Sequence, residues 1–382
     1  MKFLGKGKEN LFNLLILSLS IIYSKFNLSP ERLFYAKIKF MNKQKLIAII
    51  LAILLVFIII LAICFNNKTL INVCKDNKWG YINLRNKLVI PFEYDYSTTF
   101  ENGLAIVCKN SKCGVINKKN KTVVPFEYDM IFYFADGLAF ATKDINSGYI
   151  NKRGKEVIPF SDLAGKSFSE GYAGVINNSK WGFIDQKGKV VIDYKYDDIK
   201  DFHKGLAPVS VSMDKWGVIN KKGRTIIPFE YAMINEYENN QFSACKKIKN
   251  SGGGECGIIN KKGKEIIPFK YYGIDTVHEG FYIAQKNPVG WIFLNKKGKQ
   301  VFNKEYYIAN NFENGLAMVC VSADKCGFIN TKGKFVIEPK YQALSQFYEG
   351  VAAAMLNNKW GFINKNGKVL VPFEYDWTGL VY

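Results

Sequence analysis

The chain has 382 residues, of which 48% are hydrophobic and 15% aromatic, so it can bury a large core and is not a disordered chain. It holds 53 lysines and arginines against 33 acidic residues, an excess of positive charge that favours anionic partners. It has only two histidines, which argues against histidine-based catalysis and against a histidine-rich metal cluster.

The N-terminal part of the chain predicts a membrane anchor. Residues 46–65 are a run of twenty residues without a charge, long enough as one helix to cross the roughly 30 Å hydrocarbon core of a bilayer. No small-residue cleavage site follows, which indicates an uncleaved, single-pass signal-anchor. Nine lysines and arginines precede the run against two acidic residues. The positive-inside rule therefore places the basic segment 1–45 in the cytoplasm and the rest of the chain outside it, at the cell membrane.

Two further features concern the start of the chain. A second apolar run, residues 11–23, is interrupted by polar residues and is short for a membrane span. Met41 is followed by Lys43, Lys45 and then the long apolar run. A methionine, a short basic segment and an apolar run are typical of the N-terminus of a membrane-anchored protein. We therefore expect translation to begin at Met41, and peptides from residues 1–40 in the natural protein would refute this.

From Leu70 to the end of the chain, one pattern recurs nine times. Each copy contains Trp-Gly or a variant of it, with a Gly or Asn six residues after the glycine position. These Gly and Asn residues are spaced by 34, 34, 34, 35, 40, 35, 35 and 34 residues: Asn86, Asn120, Gly154, Gly188, Gly223, Gly263, Gly298, Gly333 and Gly367. A fixed period of this length indicates a repeat architecture.

Each unit reads as a small antiparallel β-meander. In the second unit, β-branched and aromatic runs at 104–108, 113–117 and 122–126 predict three strands. The linking segment after Tyr128 is a candidate for a fourth, short strand. The Asn-Lys-Lys-Gly turn after the second of these runs suits a bulged hairpin, in which Gly or Asn takes a left-handed conformation.

A single unit is too small to bury its own apolar face, so neighbouring units must share a core. To that core we assign the Tyr of the Phe-Glu-Tyr segment, the Ile two residues after the glycine, and the tryptophans Trp79, Trp181, Trp216, Trp291 and Trp360. The glycine after the tryptophan is expected to permit close backbone approach. In the seventh unit Ile292 replaces that glycine and Asn303 replaces the usual proline, so we expect a local distortion there.

The predicted fold is therefore an all-β array of nine units over residues 69–382, open and curved like a solenoid. The alternative is a closed, propeller-like ring. It is less favoured because propellers typically have about 4–8 blades of four strands, and these units are short for four strands.

The Lys-Trp-Gly copies at residues 78–80, 180–182, 215–217 and 359–361 resemble the WG-repeat (K-W-G repeat) family of bacterial β-repeat proteins. The resemblance extends from Leu70 to the end of the chain. It implies an all-β binding or scaffold protein, often outside the cytoplasm, without a general catalytic motif. Four units depart from the name, since Cys113, Cys256 and Cys326 replace the tryptophan in three of them and Ser147 in a fourth.

The motifs of common enzymes are missing from the sequence. It contains no phosphate-binding loop, no Gly-x-Ser-x-Gly elbow and no metal-ligand spacing. Recurrent acids such as Glu93 and Asp95 belong to the repeat, and no pair of carboxylates stands apart as a glycosidase would require. We therefore expect a protein that is not an enzyme and needs no cofactor.

The positive charge points to one candidate site. Lysines and arginines cluster at the hairpin tips, and in a regular array these tips line up along one edge. They form either a solvated rim that resists aggregation or a basic edge for an acidic protein or an anionic polymer of the cell envelope. The candidate residues are Lys118, Lys119, Lys152, Arg153, Lys221, Lys222, Lys261, Lys262, Lys296 and Lys297.

Other partners stay open at this point. Carbohydrate stacked on exposed aromatic side chains is the competing class of ligand, and a cytoplasmic protein scaffold becomes the leading interpretation if the topology is reversed. Nucleic acid is not expected outside the cytoplasm. The sequence does not indicate an oligomeric state.

The cysteines predict cross-strand disulfides. Four units carry a cysteine at the same position of their first long strand, and three of these four are the units in which cysteine replaces the tryptophan. Directly opposed residues of an antiparallel pair lie within disulfide reach, and such bridges require an oxidising compartment, in agreement with the topology. Cys74 is left over, either as a free thiol or as a link between two chains. The predicted pairs are Cys108–Cys113, Cys245–Cys256 and Cys320–Cys326.

Overall fold

The computed structural model describes residues 69–238, 240–247 and 254–379. The segment 1–45, with its possible start at Met41, and the predicted membrane span 46–65 lie outside the described residues. Within the described ranges, no helix is long and apolar enough to cross a membrane. The repeat region belongs to one compact unit that begins at Asn67.

The repeat region consists of nine small antiparallel sheets, here called blades, which follow one another along the chain. Blades 1 to 3 contain β1 (Leu70–Lys75), β2 (Lys78–Asn83), β3 (Leu88–Tyr94); β4 (Tyr96–Ser97), β5 (Leu104–Lys109), β6 (Lys112–Asn117), β7 (Thr122–Tyr128); β8 (Met130–Ile131), β9 (Leu138–Lys143), β10 (Asn146–Asn151) and β11 (Glu156–Ser161). Blades 4 to 6 contain β12 (Ala164–Ser169), β13 (Tyr172–Asn177), β14 (Lys180–Asp185), β15 (Val190–Tyr196); β16 (Asp198–Ile199), β17 (Leu206–Ser210), β18 (Trp216–Asn220), β19 (Thr225–Tyr231); β20 (Met233–Glu238), β21 (Gln241–Lys247), β22 (Gly254–Asn260) and β23 (Glu265–Tyr271).

Blades 7 to 9 contain β24 (Gly273–Ile274), β25 (Phe281–Asn287), β26 (Gly290–Asn295); β27 (Ile308–Ala309), β28 (Leu316–Ser322), β29 (Lys325–Asn330), β30 (Phe335–Tyr341); β31 (Ala343–Leu344), β32 (Val351–Leu356), β33 (Lys359–Asn364) and β34 (Val369–Tyr375). The last strand, β35 (Trp377–Thr378), belongs to blade 1. The predicted short strand after the Tyr of each unit is therefore confirmed. In the sheets it serves as the first strand of the following blade.

The nine blades close into a propeller-like ring. Strand β35 pairs with β1, with Val73 opposite Thr378 and Cys74 opposite Trp377. Blade 9 also packs on blade 1, where the Tyr375 hydroxyl donates to Asn86 Oδ1 at 2.6 Å. The expectation of an open, curved array is therefore wrong, and the closed alternative is correct. The physical reason is that the C-terminal strand supplies the short first strand that the first unit lacks.

The hydrophobic core is divided into nine clusters, each shared by two neighbouring blades. Between blades 2 and 3, for example, Val115 and Tyr128 pack against Ile131 and Ile150. The ninth cluster joins blades 9 and 1 through Phe362 and neighbouring side chains. Each blade thus buries both faces of its two central strands, which explains how units of this size form a stable fold.

The turns that carry the lysines have the predicted conformation. They follow the third strand of each blade, counting the short strand as the first, and in every blade except blade 7 they lead into a fourth strand. In blade 3, Asn151 Oδ1 accepts hydrogen bonds from the Arg153 and Lys155 backbone N–H groups at 2.9 and 3.1 Å, and Gly154 has a φ of 79°. All nine turns repeat this arrangement with Asn or Asp at the first position.

Close backbone approach explains the glycine after the tryptophan and the distortion of blade 7. A β-carbon at Gly80 would lie 2.7 Å from the Ile90 carbonyl oxygen on the fourth strand, closer than two atoms can pack. Blade 7 has Ile292 at this position, and its sheet keeps three strands. The segment that would be its fourth strand is held by two isolated bridges, Trp291 to Tyr306 and Leu294 to Gln300. The predicted distortion is confirmed.

Candidate functional site

One row of side chains crosses each blade near the turn between its second and third strands. In blade 2 the row contains Tyr96, Cys108, Cys113 and Tyr128, which are opposed in register across all four strands. The disulfide Cys108–Cys113 occupies the middle of this row with a Cα–Cα distance of 3.9 Å. In blades with two cysteines at these positions, a covalent bond links the second and third strands. The other blades have a tryptophan or a smaller side chain at the same position of the third strand.

All three predicted disulfides are present in the structure. The pairs Cys245–Cys256 and Cys320–Cys326 occupy the same row in blades 6 and 8, with Cα–Cα distances of 4.0 and 3.9 Å. Cys74 is a free, buried thiol, opposed to Trp79 in the row of blade 1. Its burial raises the pKa of the thiol and leaves it poorly placed to link two chains.

The tryptophans assigned to the core lie at the same row position on the third strand. Trp216 and Trp360 are buried. Trp79, Trp181 and Trp291 are partly buried and pack against the clusters between their own blade and the next.

The lysine-bearing turns lie together on one face of the ring, here called the lysine face. In blade 2, Leu104 at the start of the second strand is opposite Asn117, the first residue of the turn. The turn between the first and second strands therefore lies at the same end of the blade as the lysine turn. Because nine similar blades follow one another around the ring, equivalent turns of all blades lie on the same face.

The lysine face concentrates the positive charge of the repeat region. Its nine lysine turns, from the Asn or Asp to the fourth residue after it, hold 23 lysines and arginines and one acidic residue, Asp185. Nine of the ten predicted site residues are exposed, and Lys221 is half-buried. They are spread over blades 2, 3, 5, 6 and 7, so the structure places them on one surface without gathering them into one pocket.

Some of these side chains have defined neighbours. Lys221 Nζ lies 3.3 Å from Glu170 Oε2 and 5.4 Å from the centre of the Tyr172 ring. Lys118 Nζ lies 5.9 Å from the centre of the Phe100 ring. These contacts join lysine turns to residues beside a turn between first and second strands, within one blade for Lys118 and between blades for Lys221.

The opposite face of the ring has balanced charge. There the lysine before the tryptophan position pairs with the aspartate that begins the next blade, as in Lys78–Asp95 at 2.5 Å and Lys112–Asp129 at 2.6 Å. The lysine beside each of these aspartates holds the pKa of the carboxyl below its ordinary value. The same pairs are Lys180–Asp197 and Lys359–Asp376. The two faces of the ring therefore differ in net charge.

A second candidate is an aromatic cleft of about 890 Å³ along the short first strands of blades 1 to 3. Its lining includes Tyr96, Phe132 and Tyr133, and the Cys108–Cys113 bridge. Trp377, the residue of blade 1 equivalent to Tyr96, is 61% exposed. The equivalent residues of other blades include Asp198, Gly273 and Ala343. Packing therefore does not require an aromatic side chain at this position.

Sequence reasoning missed this aromatic cleft. Tyr96 and Trp377 both stand two residues after the Tyr of Phe-Glu-Tyr, so the shared offset was the available signal. It becomes meaningful only with ring closure, which places β35 in blade 1 beside the blade of Tyr96, where Thr378 and Gly379 line the cleft. Groups of residues that could hold a metal ion are absent from the described part of the chain.

The protein family described as WG containing repeat matches this chain nine times, at residues 79–113, 114–144, 148–181, 181–212, 216–247, 257–287, 293–324, 327–360 and 360–380. No curated protein is similar to the chain in sequence. A crystal structure of the eukaryotic initiation factor is similar with a TM-score of 0.59 and 8% identity, covering 81% of this chain and 98% of that chain. BamB from Moraxella catarrhalis has a TM-score of 0.40 and 12% identity over 72% of this chain and 94% of its own. Kluyveromyces lactis Hsv2 has a TM-score of 0.37 and 10% identity over 69% and 94%.

Proposed function

Because the chain belongs to the WG-repeat family, we propose that it is a non-catalytic binding protein, anchored in a membrane by residues 46–65, with its ring outside the cytoplasm. A closed ring of WG repeats suggests a binding or scaffold role. To this role the proposal adds the membrane anchor, the compartment outside the cytoplasm, and an anionic partner bound by the lysine face. That partner is a polymer or an acidic protein of the cell envelope.

The main support for a compartment outside the cytoplasm is the set of three disulfides. Each joins directly opposed residues of a hairpin whose turns differ in length, so the register of the strands selects the pairs. Closing such short loops contributes about 2–3 kcal/mol each to stability. Disulfides of this kind form and persist in oxidising compartments, which agrees with the basic residues before the apolar run.

The anchor and compartment can be tested in intact cells. Protease added to cells, or to spheroplasts where an outer membrane is present, should degrade the ring and leave residues 1–45 protected. Rapid alkylation followed by non-reducing peptide mapping should find the three disulfides. Full protection of the ring together with free thiols at all six cysteines would reverse the topology and favour a cytoplasmic scaffold.

The anionic partner can be tested with matched variants of the purified protein. Lys119, Lys222 and Lys297 are exposed residues of the lysine face, and changing all three to Gln should lower the salt concentration at which the protein elutes from a polyanion resin. The control changes three exposed lysines of the opposite face to Gln: Lys75, Lys215 and Lys325. Since both variants lose the same net charge, equal elution shifts would refute a specific role of the lysine face.

The aromatic cleft favours a second candidate function, the binding of carbohydrate by stacking. Tyr96 is 51% exposed and Tyr133 is 53% exposed, and rings held at that exposure can stack on sugar faces. Such binding should be almost independent of salt. A glycan array probed at two ionic strengths separates the two candidates, and Tyr96→Ala should abolish only the salt-independent signals.

A further inference from the structure

We propose that the lysine face binds the anionic phospholipid headgroups of the membrane that anchors the chain. This inference rests on the proposed function, because it takes residues 46–65 as the anchor. It assigns to the lysine face a lipid surface as its anionic partner, in place of the polymer or acidic protein considered above.

The first support is where the chain enters the ring. Leu70, the first residue of β1, lies opposite Asn83, the first residue of the lysine turn of blade 1. The Thr69 hydroxyl donates to Glu349 Oε2 at 2.9 Å, and Glu349 belongs to a turn on the same face. The described chain therefore begins at the lysine face and is fixed to it from Thr69 onward.

The second support is the length of the connection. Four residues, 66–69, separate the end of the apolar run from Leu70. A fully extended chain spans at most about 3.3–3.6 Å per residue, so this connection reaches about 14 Å. With residues 46–65 as the anchor, so short a connection would favour lipid headgroups over a soluble polyanion as the partner of the face.

The third support is charge complementarity. The lysine turns and the segments between the first and second strands of blades 2 to 9 together hold 25 basic and nine acidic residues. Several of these acids are engaged in bonds between blades: Asp136 accepts from the Gly171 N–H at 2.6 Å, and Glu279 accepts from the Gly315 N–H at 2.9 Å. The face therefore keeps a large net positive charge, and a negatively charged leaflet attracts lysines within about a Debye length, roughly 8–10 Å.

The proposal assigns different roles to the two faces. Lysine-rich turns on headgroups would hold the ring flat against the bilayer. The opposite face, with its paired lysines and aspartates, would point away from the membrane and be available to a partner.

The test is lysine footprinting of the full chain in vesicles. The protein is reconstituted into vesicles of neutral phosphatidylcholine or of phosphatidylcholine with one third phosphatidylglycerol, and outward-facing rings are acetylated with a membrane-impermeant reagent. Mass spectrometry then compares Lys119, Lys222 and Lys297 on the lysine face with Lys75 and Lys215 on the opposite face. We expect the first group to react at least threefold more slowly in the anionic vesicles, with the difference lost in high salt, and the second group to react equally in both.

Equal acetylation of the lysine face in both kinds of vesicle would overturn the proposal. Changing Lys119, Lys222 and Lys297 to Gln should also reduce the protection of Lys332 on the same face, whereas the opposite-face variant should not. Flotation tests the anchor separately. A chain that floats only with anionic vesicles has the lipid-binding face without the anchor, and a chain that floats with neither has neither property.

Discussion

The first blade offers a direct test of the strand register, because it contains half of a disulfide site. Cys74 is opposite Trp79 in the same register that places Cys108 opposite Cys113. The bonded pair of blade 2 has a sequence separation of 5 and a Cα–Cα distance of 3.9 Å, and Cys74 and Trp79 have the same separation. We expect the substitution Trp79→Cys to produce a fourth disulfide with Cys74.

The magnitude follows from the size of the loop. Closing a loop of about five residues removes close to 7 cal/mol/K of chain entropy from the unfolded state, which is about 2 kcal/mol at 25 °C. The substitution also removes the Trp79 indole from the cluster between blades 1 and 2. The matched control is therefore Trp79→Ser, which loses the same indole without gaining a thiol. Under oxidising conditions the cysteine variant should be more stable than this control by about 2 kcal/mol.

The assay counts thiols before it measures stability. Because burial raises the pKa of Cys74 and slows its reaction, folding should proceed in a glutathione redox buffer with a disulfide isomerase. Alkylation and non-reducing peptide mapping then identify the bond, and urea unfolding compares the two variants with and without reductant. Free thiols at both positions, in protein whose three native bridges have formed, would refute the register and the equivalence of the rows.

Local features of this fold were predictable because each depends on a few neighbouring residues. The lysine turn needs Asn or Asp at its start and Gly or Asn in the left-handed position, and both are visible in the sequence. The disulfides follow from the coincidence of Cys113, Cys256 and Cys326 with cysteines at one position of the preceding strand. The distortion of blade 7 follows from Ile292, since any β-carbon there collides with a carbonyl oxygen of the fourth strand.

Ring closure was not predictable in the same way. Whether nine units close depends on a small rotation between neighbouring blades, which accumulates around the ring and has no local sequence signal. The available sign was that Trp377 and Thr378 repeat the short strand the first unit lacks. The blade 1 side of the aromatic cleft depends on closure, because only then do Thr378 and Gly379 lie in blade 1, beside the blade of Tyr96.

Three further predictions concern the stability of the ring. A side chain at Gly361 would place a β-carbon 2.7 Å from the Val371 carbonyl oxygen. Gly361→Ile should therefore detach the fourth strand of blade 9, as in blade 7, at a cost of about 3 kcal/mol or more, visible as faster amide exchange over residues 369–375. Lys359 holds the pKa of Asp376 below its ordinary value, so the stability from this carboxyl is present above the unfolded pKa near 4 and is lost as the pH falls through the lowered folded pKa. Asp376→Asn should flatten this acid limb of the stability profile, and an unchanged limb would contradict the assignment. Removal of residues 377–382 takes away β35, so blade 1 loses its first strand and the ring should open, with a larger radius of gyration in X-ray scattering and a lower unfolding midpoint. Removal of 380–382 alone is the control that keeps the strand. Trp377→Ala keeps the backbone pairs of β35 and should leave the ring closed, which separates the strand from its side chain. If the longer truncation had the same radius and midpoint as the intact chain, closure through β35 would not be what holds blades 9 and 1 together.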